Sequence, residues 1–267
     1  MKVGLLQFKP EFGNVDENIG KIQKLLRNKK FDLLVLPELP NSGYLFSSIG
    51  ELNELAEEIP NGKFCTALIN ICKEKNAYIV SGICERSSEC FYNSAVLVSP
   101  SGEIKTYRKL QLFSDEKLWF KPGDLPLQAC EIKGSNFGSV KIGMMVCFDW
   151  LFPEITRTLA LKGAQIICHP SNLVMQYCQT AMFARALENH VFTITANRIG
   201  KDTNGGKELT FTGQSVILDP KGNYLYRGSD DKEECFIVEI DPSKALDKHV
   251  TKVNDVLEDR REEFYFN

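Results

Sequence analysis

The feature that most constrains this chain is an apolar run that stops at a cysteine and turns through a proline into a helical pattern. It reads Ile142-Gly143-Met144-Met145-Val146-Cys147-Phe148-Asp149-Trp150-Leu151-Phe152-Pro153-Glu154. The run fits a buried strand, and Pro153 fits the first turn of the helix that follows. A strand fixes the backbone, a sharp turn exposes one side chain, and a helix start offers free N–H groups to a developing anion. A cysteine at that corner suits a nucleophile. The competing reading is an ordinary buried cysteine, the commoner fate of the residue.

The rest of the chain alternates strand and helix patterns. Val3 to Phe8 and Asp32 to Leu36 read as buried strands, the second stopped by Pro37 and followed at once by Glu38. Asn14 is placed to cap a helix carrying Ile19, Ile22, Leu25 and Leu26 on one face, and Phe64, Ala67, Leu68, Ile71 and Cys72 mark the apolar face of another. Two hairpins are expected, across Ser99-Pro100-Ser101-Gly102 and Asp219-Pro220-Lys221-Gly222. Lys109 to Gly123 and the segment around Asn204-Gly205-Gly206 read as loops. Further helices are expected over Pro153 to Lys162 and Gln176 to His190, and a strand from Gln165 to Cys168 ends in His169-Pro170-Ser171-Asn172. Alternation interrupted by hairpins predicts an α/β protein with mixed sheets flanked by helices. No linker, repeat or low-complexity segment divides it, so residues 1–267 read as a single domain. The tail, 255–267, alternates charges and ends in aromatics, which pack either on this chain or on a partner subunit.

A net charge of −3 excludes a strongly basic nucleic-acid-binding surface, and no apolar run is long enough for a membrane helix. The nine cysteines, without a CxxC pair, read as reduced thiols, and the N-terminal residues read as a strand rather than a signal peptide. Both point to a cytoplasmic protein. The three histidines show no metal-ligand spacing, so no metal or cofactor is expected.

Three strand ends then draw attention, because sites in open α/β sheets gather there. They supply Glu38, Lys109 and Cys147, with Glu116 a short way beyond Lys109. Taken singly, each is most simply a solvated charge or a core thiol. Taken together, they complement one another. A free thiol has a pKa near about 8.5, so it needs help at neutral pH. A carboxylate can take its proton, and an ammonium favours both the thiolate and the later oxyanion. Glu38 alone would oppose a second negative charge, and Lys109 offsets that opposition.

The pieces Leu36-Pro37-Glu38, Tyr107-Arg108-Lys109 and Cys147-Phe148-Asp149 with Phe152-Pro153-Glu154 resemble, in order and separation, the three signatures of the nitrilase or carbon–nitrogen hydrolase superfamily. Supporting stretches run from the first strand to the Asp259-Arg260-Arg261-Glu262-Glu263 tail. The resemblance implies a four-layer α-β-β-α sandwich, usually a homodimer or higher homo-oligomer, with the tail placed for a dimer interface. It implies Cys147 as nucleophile, Glu38 as general base, Lys109 as stabiliser of the tetrahedral intermediate, Glu116 as a positioning carboxylate, and the Phe148 backbone N–H in the oxyanion site. Family members often carry histidine two residues after the lysine, where this chain has Gln111.

The expected substrate is a small amide, hydrolysed through a thioester on Cys147 with release of ammonia or an amine. The alternative is a small nitrile, entering through a thioimidate on the same thiol. Tyr44, Trp119, Trp150 and Asn172, with Leu173 and Tyr177, lie on segments that could face Cys147 and bind substrate; packing explains each equally well. Arg157 and Arg185 fit structural salt bridges better than a substrate carboxylate. His169 offers a rival Cys147–His169 dyad, which would leave Glu38 and Lys109 without roles. A glutaminase subunit serving a separate synthetase, or a non-catalytic binding module, completes the alternatives.

Overall fold

A computed structural model describes residues 1–265. Phe266 and Asn267, the end of the predicted tail, lie outside the described residues. In chain order the main elements are β1 (Lys2–Gln7), α1 (Val15–Leu26), β2 (Leu33–Val35), α2 (Ile49–Leu55), α3 (Lys63–Lys75), β3 (Tyr78–Ser87), β4 (Cys90–Val98), β5 (Ile104–Arg108), α4 (Glu116–Trp119), β6 (Ala129–Gly134), β7 (Gly138–Met144), α5 (Pro153–Leu161), β8 (Ile166–Pro170), α6 (Cys178–Asn189), β9 (Phe192–Ala196), β10 (Lys201–Asn204), β11 (Lys207–Thr210), β12 (Val216–Leu218), β13 (Tyr224–Arg227) and β14 (Glu234–Glu239).

Two six-stranded sheets form, in the orders β14-β1-β2-β3-β4-β5 and β13-β12-β9-β8-β7-β6. Each has a parallel trio at its centre, β1, β2 and β3 in one and β7, β8 and β9 in the other. Antiparallel strands flank both trios.

The period-2 alternation of a strand explains the layering. In β2, Leu33 and Val35 point into a core shared by the two sheets. Leu34 and the adjoining Leu36 point the other way, into a core with Ile22 and Leu26 of α1 and Phe64, Leu68 and Ile71 of α3. Ile155 and Leu159 of α5 and Met182 and Ala186 of α6 cover the outer face of the second sheet. The result is the four-layer α-β-β-α sandwich. It turns the carboxyl ends of β2 and β7 toward one region, which is what brings distant motifs together.

Local signals act as expected at several ends. The Asn14 side chain accepts the Glu17 N–H at 3.1 Å and caps α1. Gly102, at φ +90°, closes the β4–β5 hairpin.

Two expectations need correction, and one element is new. The Lys109 to Gly123 loop contains the short helix α4. The segment around Gly205-Gly206 is the turn of the β10–β11 hairpin, with both glycines at positive φ, as a tight hairpin requires. Helix α2 was not foreseen, although Ser48-Ile49-Gly50-Glu51 has the spacing of a capping box, and Ser48 Oγ does accept the Glu51 N–H.

Candidate active site

Glu38 lies just past β2 in a backbone that presses against β3. A Cβ on Gly82 would sit 2.5 Å from the Glu38 Cα, so only glycine lets the two approach. Lys109 follows β5; its N–H donates to the Asn93 carbonyl at 2.8 Å and its own carbonyl accepts the Gly123 N–H at 2.8 Å. Glu116 opens α4. Cys147 begins a short 3-10 turn, Cys147–Leu151, that bridges β7 to α5. Its φ is +42°, in the left-handed region that a non-glycine residue adopts at a cost of about 1–3 kcal/mol. The cysteine therefore stands on a strained corner, as a presented nucleophile would.

The side chains of Glu38, Lys109 and Glu116 meet in the interior. Lys109 Nζ donates to Glu38 Oε1 at 2.8 Å and to Glu116 Oε1 at 2.7 Å, with the lysine side chain 0% exposed. Asn93 Nδ2 donates to Glu38 Oε1 at 2.7 Å, and Tyr44 Oη donates to Glu116 Oε1 at 2.7 Å. Glu116 Oε2 accepts the Phe113 N–H at 3.1 Å. Glu38 Oε2, although buried, has no partner. Most buried polar atoms are paired, so this oxygen, which makes no hydrogen bond to the protein, is free to accept one.

Electrostatics tie Cys147 to the same cluster. Burial, then the Glu38 carboxylate, push its thiol well above the ordinary range, while Lys109 opposes them. Burial pushes Lys109 toward deprotonation, but Glu116 and Glu38 outweigh it and hold the ammonium above its ordinary range. Burial raises the Glu116 carboxyl, against the pull of Lys109. Burial and the neighbouring Glu38 carboxylate thus favour the protonated form of the Cys147 thiol.

The other expected residues separate into groups. Tyr44 and Trp119 line a cavity of about 340 Å³ with Phe46, Phe113 and Glu116. Asn172 follows β8 and is buried; its backbone N–H faces the Cys147 sulfur, and both polar atoms of its carboxamide lack partners. Trp150 and Leu173 sit in the core shared with α5 and α6, whereas Tyr177 is exposed on the surface. Arg185 donates through Nε to the Trp150 carbonyl and pairs with Glu188, while Arg157 donates to the carbonyls of Glu188 and Val256. Both arginines are structural anchors.

His169 does not reach the thiol side chain in a dyad. Its Nδ1 pairs with Thr195 Oγ1 at 3.0 Å, and its Nε2 lies 2.9 Å from the Cys147 backbone carbonyl and 3.0 Å from Ser171 Oγ. Burial lowers its pKa to about 4, so it is neutral at physiological pH. A larger cavity, about 1060 Å³, lies elsewhere, beside Lys2, Arg27 and Lys133, and touches none of the clustered residues. Among the described residues, no group of three or more His, Cys, Asp or Glu side chains has a metal-holding arrangement.

Two participants were not anticipated from sequence. Asn93 lies in the middle of β4, where a polar residue facing inward is the only local sign of a partner. Asp149, two residues past the cysteine, is fully buried and bonds toward the lysine segment.

The carbon-nitrogen hydrolase family profile matches residues 2–246, and the chain belongs to that family. It is 43% identical to a protein named nitrilase from Pyrococcus abyssi, with 100% of this chain and 99% of that protein aligned. It is 31% identical to an (R)-stereoselective amidase of Pseudomonas sp, covering 98% of this chain and 92% of the relative. Among solved structures, a carbon-nitrogen hydrolase from Helicobacter pylori superposes with a TM-score of 0.84 at 27% identity, over 99% of this chain and 97% of that one.

Proposed function

We propose that this enzyme hydrolyses the carbon–nitrogen bond of a small amide, with Cys147 as nucleophile, Glu38 as general base and Lys109 as oxyanion stabiliser. The observation that carries the reading is the unpartnered Glu38 Oε2 in a carboxylate already fixed on its other oxygen by Lys109 and Asn93. That oxygen takes the thiol proton as sulfur attacks the carbonyl carbon. The oxyanion gathers hydrogen bonds from Lys109 Nζ and the Phe148 N–H, the latter in a first helical turn whose leading N–H groups lack intrahelical partners. Glu38 passes its proton to the departing nitrogen, the C–N bond breaks, and a thioester remains on Cys147. Water then gives a proton to Glu38 and its hydroxyl to the thioester carbon. The acid leaves as the proton returns to sulfur. Glu116 holds Lys109 in place throughout, and Tyr44 fixes Glu116.

An amide is favoured because the unpaired groups around the site include acceptors as well as a donor. Asn172 offers an open oxygen and an open N–H group, and Glu38 an open oxygen. A primary amide brings both a carbonyl and N–H donors to them, whereas a nitrile brings only an acceptor. Tyr44 and Trp119 form the wall of the cavity beside Glu116 that would take the substrate. A second reading, nitrile hydrolysis through a thioimidate on Cys147, is favoured by the 43% identity to the Pyrococcus abyssi protein. Ammonia release from a panel of small amides, carbamoyl compounds and nitriles separates the two. Amides should turn over faster than the matching nitriles, and Cys147→Ala should abolish both reactions. Equal ammonia release by Cys147→Ala would contradict the nucleophile, and faster nitriles would reverse the substrate order.

We also infer that residues 1–267 act as one domain, as a homodimer, in the cytoplasm. Exposed Tyr177, Phe183 and Leu187 around α6, with Phe264 and Tyr265 of the tail, are apolar surface that a second copy would cover. Sedimentation at a single-protomer mass would contradict the dimer. All nine cysteines are free, which fits a reducing compartment, and no helix among the described residues is long and apolar enough to cross a membrane.

A further inference from the structure

Asp149 joins the two halves of the site. Its Oδ2 accepts the Val146 N–H at 2.9 Å, on the residue immediately before Cys147. The same oxygen accepts Tyr107 Oη at 2.7 Å, and Oδ1 accepts the Gln111 N–H at 3.0 Å. Tyr107 and Gln111 stand two residues before and two residues after Lys109. One carboxylate thus grips the chain on both sides of the lysine and at the entrance to the cysteine turn.

Asp149 is 0% exposed, and all three of its donors are neutral. Burial accordingly raises its carboxyl to about 6, with the Val146 N–H, Tyr107 and Lys109 opposing the rise. An apolar residue of similar size would leave the Val146 N–H, the Tyr107 hydroxyl and the Gln111 N–H without their acceptor, so it is the carboxylate that ties these segments together. The Cys147 backbone also has to be held in its left-handed conformation, which persists only where the surroundings over-determine it.

We propose that Asp149 is a positioning residue, which bolts the turn presenting Cys147 to the segment carrying Lys109 and so fixes the gap between thiol and ammonium. The inference rests on the roles given above to Cys147 and Lys109. It does not require Asp149 to touch the substrate.

Tyr107→Phe and Asp149→Asn test it, each compared with the parent for melting temperature, for kcat and KM on the panel compound turned over fastest, and for the rate at which iodoacetamide alkylates Cys147, followed by peptide mass. A displacement near 1 Å between reacting groups costs about 100-fold in rate. Asp149→Asn should lower kcat by about that factor, and Tyr107→Phe by about tenfold, with KM changed less than about twofold. Alkylation of Cys147 should slow in both. If both variants fold, melt near the parent and keep its kcat and alkylation rate, the proposal is overturned. If Asp149→Asn does not fold, Tyr107→Phe decides alone. A purely structural role predicts a lower melting temperature with unchanged kcat per folded molecule, which also overturns it. Failure of the underlying reading is distinct, because there Cys147→Ala itself stays active.

Discussion

Two buried ion pairs in this molecule carry opposite lessons. Arg198 and Asp202 form one, with the arginine side chain 0% exposed. Arg198 Nη1 and Nη2 donate to the two Asp202 oxygens at 2.8 and 2.7 Å, Nη2 also donates to the Pro10 carbonyl, and the guanidinium lies 4.0 Å from the Phe211 ring centroid. Asp202 Oδ2 further accepts the Tyr44 N–H. Lys109 with Glu38 and Glu116 forms the other, equally buried. There, an oxygen of Glu38 and the whole Asn172 carboxamide nearby stay unpaired. The first pair is saturated and fastens the base of the β10–β11 hairpin. The second is left open beside a strained cysteine. Burial and charge are common to both, so neither marks the site. Open valence does.

Substitution should separate the pairs by what is lost. Lys109→Ala should reduce turnover about 100- to 1000-fold, the scale of removing an oxyanion donor, while one of the stranded carboxylates takes up a proton and preserves the fold. His169→Ala should keep substantial turnover in the same assay. The reverse ranking of Lys109 and His169 would replace this cluster with a Cys–His dyad.

Arg198→Ala should act on stability instead. It leaves Asp202 buried without its counter-charge, at a cost of about 3–5 kcal/mol, and denaturant melts should show it, with most turnover kept by the folded molecules. A loss of turnover at unchanged stability would erase the distinction between the pairs.

The smallest effect concerns pH. His169 titrates at about 4 in the fold, below its ordinary value of 6.5. Between those values the unfolded chain takes up a proton that the folded chain refuses. The stability is therefore present above pH 6.5 and drains away as the pH falls toward 4. His169→Gln should flatten the fall in melting temperature across that window. Asp149 runs the other way, since its raised carboxyl favours the folded state as the pH falls from about 6 toward its ordinary 3.8. An unchanged slope in His169→Gln would place the acid sensitivity in other groups.

Much of this arrangement could be read from the chain. Apolar runs before Glu38 and Cys147, and a hairpin strand before Lys109, announced strand ends, and the complementary chemistry across them pointed to a candidate site made of residues that are ordinary one by one. The helices with clear apolar faces, α1, α3, α5 and α6, were legible for the same reason. Short polar elements were not, because α2, α4 and the β10–β11 hairpin lack the long apolar periodicity that marks the larger helices and strands. Asn93, Gly82 and Asp149 act across long sequence separations or through backbone approach. No local pattern encodes that Gly82 must admit Glu38, or that Asp149 reaches both sides of Lys109. Which buried groups stay unpaired is likewise a property of the assembled interior, as Asn172 shows: its place on a segment that could face Cys147 suggested binding, but only its unpaired carboxamide gives that suggestion a physical basis.

The central claim is that Cys147 uses this open cluster to form a covalent acyl intermediate. Intact-mass and peptide-mass measurement of enzyme quenched during turnover, with mixed small amides, carbamoyl compounds and nitriles, tests it most directly. The account predicts an adduct on the Cys147 peptide, carrying the acyl portion of the substrate, and no adduct in Cys147→Ala. Turnover that continues without Cys147, or an acyl group carried by another residue, would contradict it.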